Sequence, residues 1–480
     1  MNNKLVFKLL GSVLMVEGAA MLPSVAVALW FRGDDWKWLL LAAAMAAACG
    51  CALNFFMRPN SKTLRAREGF LTVALSWVAL SLFGCLPFLM GGYIPYFPDA
   101  FFECVSGYTT TGSTILTDIE SLPKGILFWR SFTHWIGGMG VLVLALAILP
   151  SSGNTLYLLK AESPGPTPGK LVPRIGKTAK LLYGFYIVLT VMQVIALLFC
   201  GMNWYDALIH TFGTAGTGGF SNYAASVGHF QSAAVDNVMS LFLFLFSVNF
   251  SMYFLLWHRE FKQVFRNEEL LTFAGIVLVA TGIISLNILP IYGTVLKSLR
   301  YGVFQVLSII STAGFSTADF NLWPQLSRTV LIILMLIGAC AGSTGGGLKV
   351  VRISVLVKSL KRSLHSAVHP RAVSVLRMDD KTLDEGIVNQ VVNFFGAYIL
   401  VIIVSTLLVS VDGLDFETNL TASISAIGNV GPGLSLAGPM GSFAMFSGFS
   451  KIVLSFCMLI GRLEIWPMLL LFSPSGWRNK

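Results

Sequence analysis

Ten mostly apolar runs follow one another along the chain, at residues 5–31, 37–57, 69–91, 126–149, 179–201, 233–257, 269–291, 328–356 (interrupted), 387–411 and 449–472. About 20 apolar residues in a helix cross the roughly 30 Å hydrocarbon core of a bilayer. Lipid offers no hydrogen-bond partner to the backbone, so such runs must be helices. The expected fold class is therefore an all-α polytopic membrane protein with ten transmembrane helices. Only 12% of the residues are charged, against about 25% in soluble domains. No polar region is long enough for a soluble catalytic domain. Lys4 and Lys8 stand at the start of the first run as in a signal peptide, but that run continues to Phe31. It reads as an uncleaved first span.

The net charge of +10 could suggest nucleic acid, but its placement argues otherwise. Arg58, Lys62, Arg65 and Arg67 fill one connection. Lys160, Lys170, Arg174, Lys177 and Lys180 fill the next alternate one, followed by Arg259, Lys262 and Arg266, then by Lys358, Lys361, Arg362, Arg371 and Arg377. Every second loop is basic, which places these loops and both termini in the cytoplasm. Topology explains the basic balance first, a docking surface for an acidic partner second, and nucleic acid is not called for.

Catalytic and metal-binding signals are weak. Seven cysteines lie mostly inside apolar runs and form no C-x-x-C pair, so neither a disulfide framework nor a zinc site is indicated. His365 and His369 are four apart but lack the Glu of H-E-x-x-H, and read as part of a basic loop. No cofactor is expected.

Residues 429–433, NVGPG, are similar to a potassium-filter strand of the T-V-G-Y-G type. A pore needs four such strands, and the chain supplies three more. DAFFECVSGYTTTGS from Asp99, DALIHTFGTAGTGGF from Asp206, YGVFQVLSIISTAGF from Tyr301 and TNLTASISAIGNVGP from Thr418 align without gaps. Each carries glycine at its fourteenth position: Gly112, Gly219, Gly314 and Gly431. One such glycine is explained by an ordinary loop turn; four in register, roughly a hundred residues apart, are not. Each window begins helix-compatible and lies in a connection poor in Lys and Arg. Eleven helical residues rise about 16 Å, half a bilayer, so each window can enter from outside and return. The returning strand must line a water-filled path or be buried in protein. Each repeat then reads helix, half-helix, strand, helix. Two full spans per repeat preserve orientation, so the four repeats surround one pseudo-fourfold axis.

A permeating cation must exchange hydration oxygens for protein oxygens of comparable strength. Backbone carbonyls serve if the strand turns them inward, which glycine permits while keeping Cβ out of the path. The half-helices aim their partly negative C-terminal ends at the same axis.

Over its whole length the chain resembles the TrkH family of potassium-translocating membrane subunits of the Trk/Ktr/HKT superfamily. The resemblance is carried by SGYTTTGST (106–114), WRSFTHWIGGMG (129–140), GTGGFS (216–221), STAGFST (311–317), GSTGGGLK (342–349), GNVGPG (428–433) and GRLEI (461–465). It implies potassium as the substrate, held by carbonyls near Thr110, Thr111, Thr217, Gly218, Thr312, Ala313, Asn429 and Val430 beside the four glycines. Only the last strand closely matches T-V-G-Y-G. The domain boundaries read as a two-helix extension (1–64) and four pore repeats (65–172, 173–266, 267–382 and 383–480).

Residues 338–349, GACAGSTGGGLK, interrupt the eighth run. Five glycines in ten residues are costly in a helix, at up to about 1 kcal/mol each. Gly342, Ser343, Thr344, Gly345, Gly346, Gly347 and Lys349 read as an intramembrane loop beneath the filter, and the resemblance implies that it is a gate. GGGLK lacks the Lys placement of a P-loop. Arg462 lies inside the last run, where charges are expensive and usually face a cavity or a partner. Glu464 is two residues away and reads as pointing elsewhere. The resemblance implies an Arg462 that points into the pore. Glu17, inside the first run, reads as a hydrogen-bonded structural residue.

The resemblance further implies a homodimer in the bacterial inner membrane and a cytosolic TrkA-like ring that binds nucleotide. Basic segments 358–377 and 160–180 offer that ring a surface. A sodium-permeable or sodium-coupled relative of the same fold stays open, as does coupling to protons. An alternating-access transporter would show inverted repeats, whereas these are parallel. An enzyme would need a nucleophile–base pair or a ligand cluster, and none recurs.

Overall fold

Small residues set how closely the first two helices pack. In α1 (Asn3–Trp30) and α2 (Trp36–Phe56), a Cβ added to Gly11 would stand 2.7 Å from the Gly50 carbonyl oxygen. A Cβ on Gly18 would stand 2.7 Å from that of Ala43. Without a hydrophobic drive between helices in lipid, this close approach is what holds them together. The computed structural model describes residues 2–59, 66–140, 175–371, 375–379 and 381–472. Lys62, Arg65, residues 141–149 of the fourth apolar run and most of the basic segment 160–180 lie outside them.

After this pair the same order of elements recurs four times. Helices α3 (Ala66–Gly84) and α4 (Leu86–Met90) lead to the short α5 (Phe97–Tyr108), a strand, and α6 (Lys124–Gly138). Next come α7 (Ile175–Phe199), the short α8 (Trp204–Ala215), a strand, and α9 (Ala233–Ser247) with α10 (Phe250–Trp257). After α11 (Phe261–Phe265), α12 (Glu268–Tyr292) precedes the short α13 (Val295–Ile310), a strand, α14 (Gln325–Ile337), and beyond a loop α15 (Val350–Val368). Last come α16 (Glu385–Val409), the short α17 (Phe416–Gly428), a strand, α18 (Gly448–Arg462) and α19 (Trp466–Phe472).

Among the described residues, six stretches are long and apolar enough to span a membrane: Asn3–Trp30, Trp36–Phe56, Arg67–Met90, Lys180–Phe199, Glu268–Tyr292 and Glu385–Asp412. Besides the expected interruption at 328–356, two more of the ten runs are broken. The run at 233–257 bends by 90° between α9 and α10, where Asn249 caps the second piece by accepting from Ser251 N. The last run also breaks: Glu464 (φ 56°) and Ile465 (φ 67°) take left-handed conformations that a continuing helix excludes. One hairpin departs from an all-helical fold, pairing Arg377 with Thr382 and Met378 with Lys381.

The C-terminal halves of the four short helices are buried nearly all round. In α5 every residue from Ala100 to Tyr108 is buried, and in α17 every residue from Thr421 to Gly428. A buried polar helix keeps its shape only if its ends are satisfied. Asn203 accordingly accepts from Asp206 N at the start of α8, and Asp415 from Thr418 N at the start of α17.

Candidate ion-conducting site

The strands that leave the four short helices share one backbone pattern. Thr110 (φ 55°), Thr217 (55°), Thr312 (62°) and Asn429 (53°) are left-handed. So are the glycines two residues later: Gly112 (83°), Gly219 (78°), Gly314 (74°) and Gly431 (104°). Thr111, Gly218, Ala313 and Val430, between them, are not. This alternation removes the two-sided pleat of an ordinary strand and lets successive carbonyls face one way. A left-handed β-branched residue is rare and costs about 1–3 kcal/mol, so three threonines in that region mark strands held by their surroundings.

One hydrogen bond does the same job in all four. The residue before each glycine donates its N–H to a carbonyl in the last turn of its helix: Thr111 to Ser106 at 2.9 Å, Gly218 to Gly213 at 2.7 Å, Ala313 to Ser308 at 2.9 Å and Val430 to Ser425 at 3.0 Å. Ser106, Ser308 and Ser425 also donate their hydroxyls to Ser113 O (2.6 Å), Phe315 O (2.6 Å) and Gly431 O (2.8 Å).

The four strands meet in a closed ring. A Cβ built on Gly112 would lie 1.8 Å from Gly218 O, one on Gly219 1.9 Å from Ala313 O, and one on Gly314 2.2 Å from Val430 O. A Cβ on Gly431 would lie 2.8 Å from Thr111 O, which returns to the first strand. Each glycine therefore faces the carbonyl that precedes the next glycine. Asn429 Nδ2 ties the fourth strand to the first by donating to Thr111 Oγ1 at 2.9 Å. An open vestibule touches all four glycines on one side.

The loop at 338–349 packs against the third and fourth strands where they leave their short helices. Gly346 N donates to Thr312 Oγ1 at 2.7 Å. A Cβ on Gly346 would stand 2.4 Å from Gly428 O, and one on Gly345 2.7 Å from Ser311 O. These glycines are the condition for the loop to press against the ends of α13 and α17. Gly342 O accepts from Phe250 N at 3.1 Å, Ser343 Oγ donates to Cys340 O at 2.6 Å and Thr344 Oγ1 to Phe246 O at 3.3 Å. Lys349 is 2% exposed, left-handed at φ 75°, and donates Nζ to Gly345 O within the loop. Gly347 (φ 77°) packs against Gly338.

Arg462 ends α18 beside this loop. Its guanidinium donates to Thr344 O at 2.7 Å, and to Gly137 O at 2.5 Å and Gly138 O at 2.7 Å at the end of α6. It therefore clamps the loop to the first repeat rather than extending to an interface. Glu464, expected to point elsewhere, holds Arg352 of α15 at 2.6 Å. Glu269 of α12 accepts from Ala341 N at 2.6 Å, a third hold on the loop.

Several positioning residues gave no usable sequence signal. Arg130 and Glu103 form a buried ion pair at 2.6 Å. Arg130 also donates to Ser221 O at 3.0 Å and stacks 3.5 Å from the Phe220 ring, while Glu103 accepts from Thr114 Oγ1 and Ile115 N. The outer segments of the first and second strands are thus fastened together. Ion pairs cross the other seams: Asp236–Arg300 at 3.1 Å, Glu417–Arg328 at 2.5 Å and Asp99–Lys451 at 2.7 Å. Each joins the helix after one strand to the short helix of the next repeat. At the remaining seam Tyr205 OH donates to Lys124 O at 2.7 Å.

Comparison with known proteins bears on this arrangement. A family model for TrkH, described as a cation transport protein, matches residues 39–480. The Trk system potassium uptake protein TrkH of Halomonas elongata is 38% identical, over 100% of both chains. The protein of that name from Escherichia coli K12 is 39% identical over 97% of each. The crystal structure of the potassium transporter TrkH from Vibrio parahaemolyticus superposes with a TM-score of 0.89 at 35% identity, over 100% of each chain. The chain is an integral membrane protein, and it belongs to the TrkH family of cation transport proteins.

Proposed function

We propose that the chain takes up potassium through the ring of four strands, with the loop at 338–349 and Arg462 as its gate. One observation carries the reading: the closed series of glycine–carbonyl contacts, with the same left-handed pattern at Thr110, Thr217, Thr312 and Asn429. Each strand offers its carbonyls to the axis, and glycine leaves room for a cation among them. The carbonyls of Thr110, Thr111, Thr217, Gly218, Thr312, Ala313, Asn429 and Val430 take the place of hydration oxygens. Both similar relatives are named as potassium uptake proteins, which supports this choice of ion and a transport rather than an enzymatic role.

Arg462 puts positive charge beside the loop, Lys349 lies within it, and the loop occupies the way out. The contacts at Thr312 and Gly428 support reading the loop as a closed gate. Opening requires the loop to leave both, together with Arg462's hold on Thr344.

The protein works as a homodimer in the bacterial inner membrane with both termini cytoplasmic, under a TrkA-like nucleotide-binding subunit that engages the basic surface after α15. Part of that surface is already spent. Lys358 pairs with Glu268, and Arg362 with Glu385. Lys361 and Arg371 remain as the partner's contacts.

The test is reconstitution into liposomes, measuring rubidium and sodium uptake with and without an imposed voltage. Uptake of rubidium well above sodium supports the reading. Equal uptake of both favours the sodium-permeable relative, and no uptake of either refutes a conducting role.

A further inference from the structure

The first strand is anchored differently from the other three. The tenth position of the repeated window, in the last turn of each short helix, is Tyr108, Ala215, Ile310 and Ile427 in turn. Only the first carries a polar group. Tyr108 is fully buried, and its hydroxyl donates to Glu17 Oε1 at 2.8 Å. Glu17 belongs to α1, outside the four repeats, and is 2% exposed. Its second oxygen, Oε2, is buried and has no hydrogen-bond partner among the described residues.

The surroundings leave the two side chains one arrangement. A Cβ on Gly84 would stand 2.7 Å from Tyr108 Cε2, 2.8 Å from Cys104 Sγ and 3.1 Å from Glu17 Oε1. Trp129 donates its indole N–H to Gly84 O at 3.0 Å and meets the Tyr108 ring edge-on, at 6.2 Å and 80°. On the other side, a Cβ on Gly137 would lie 1.9 Å from Tyr108 O. Tyr108 is therefore pinned at ring, hydroxyl and backbone, two residues before the left-handed Thr110. An acidic group inside a membrane helix is expensive, and half of this one's hydrogen-bonding capacity is unused. Its side chain's one hydrogen bond among the described residues leads, through Tyr108, to the first strand.

We infer that Glu17 is a positioning residue for the first strand, acting through Tyr108 to hold the carbonyls of Thr110 and Thr111 in register with the other three strands. The inference rests on the proposed filter. It also gives the two-helix extension a part in transport. Helix α1, locked to α2 by the glycine contacts, is a fixed post against which one quarter of the ring is set.

The test compares Glu17→Gln, Glu17→Leu, Tyr108→Phe and the Glu17→Leu/Tyr108→Phe double variant in liposomes, reading the ratio of rubidium to sodium uptake. Gly112→Ser is run alongside as a probe of the filter itself. Loss of one buried hydrogen bond corresponds to about a fivefold change, so Tyr108→Phe and Glu17→Leu each lower the ratio by about that factor. The double variant falls no further, because both remove the same bond. Glu17→Gln, which retains an acceptor, stays within about twofold of the parent. If Glu17→Leu does not fold, Tyr108→Phe decides alone. An unchanged ratio in Tyr108→Phe, or effects that multiply in the double variant, overturns the inference. If Gly112→Ser also leaves the ratio unchanged, the filter reading falls with it; if Gly112→Ser lowers the ratio and Tyr108→Phe does not, only the role of Glu17 is refuted.

Discussion

Replacing Arg462 by Ala removes three hydrogen bonds, but only the one to Thr344 O belongs to the loop. The other two, to Gly137 O and Gly138 O, hold the guanidinium itself in place. A hydrogen bond from a charged donor contributes about 1.5–3 kcal/mol. Losing the Thr344 bond therefore shifts the loop's closed-to-open equilibrium by a factor of about 10–150. Flux limited by loop opening rises by up to that factor, until the filter becomes limiting. Removing the positive charge lowers the barrier to a cation as well. Arg462→Lys separates the two effects: it keeps the charge, but a compact ammonium cannot match the guanidinium fork that spans carbonyls on two elements. If the tether dominates, Lys raises flux nearly as much as Ala; if the charge dominates, Lys stays near the parent. The assay is rubidium uptake into liposomes at equal protein incorporation, without the cytosolic subunit. Flux unchanged in Arg462→Ala would refute both roles and leave the residue as a brace between α6 and α18.

Three further outcomes are expected. Deleting residues 343–347 raises rubidium flux in the same assay, since the loop's contacts with Thr312 and Gly428 vanish; unchanged flux would show that the loop packs without obstructing. Arg130→Met leaves Glu103 buried and unpaired, at a cost of about 3–5 kcal/mol, so the melting temperature in detergent falls clearly; Glu103→Gln with Arg130→Met recovers part of the loss, and no recovery would mean the pair is not the cause. Neutralising Lys361 and Arg371 weakens association with the cytosolic subunit, more at low salt than at high salt, whereas neutralising Lys358 and Arg362 acts through the pairs with Glu268 and Glu385. Stronger loss from the second pair of substitutions would place the docking surface elsewhere.

What the sequence makes legible follows from its physics. Apolar runs and alternating basic loops report membrane spans because lipid penalises any other arrangement. Four glycines in register report the strands because only a repeated backbone conformation requires a repeated glycine. Run length does not report breaks. Asn249 inside the run at 233–257, and Glu464 with Ile465 inside the last, look like tolerated polar or ordinary residues, yet each stands at a break between two helices. The loop at 338–349 was readable because its glycines are many. Long-range pairs were not: nothing local in Arg130, Glu103, Lys451 or Asp99 states a partner, and Glu464 meets Arg352, 112 residues away. Tyr108 is likewise silent until Glu17 is seen beside it.

The central claim is that the four glycine strands form one ion-selective ring. It is tested most directly by substituting Ser at Gly112, Gly219, Gly314 and Gly431 one at a time, and measuring rubidium and sodium uptake in liposomes. The new Cβ would meet the neighbouring strand's carbonyl at 1.8, 1.9, 2.2 and 2.8 Å respectively, so Gly431→Ser should retain the most transport and Gly112→Ser and Gly219→Ser the least. Each variant should lose rubidium-over-sodium preference or conduct nothing. Four variants with the parent's ion preference and flux would contradict the account.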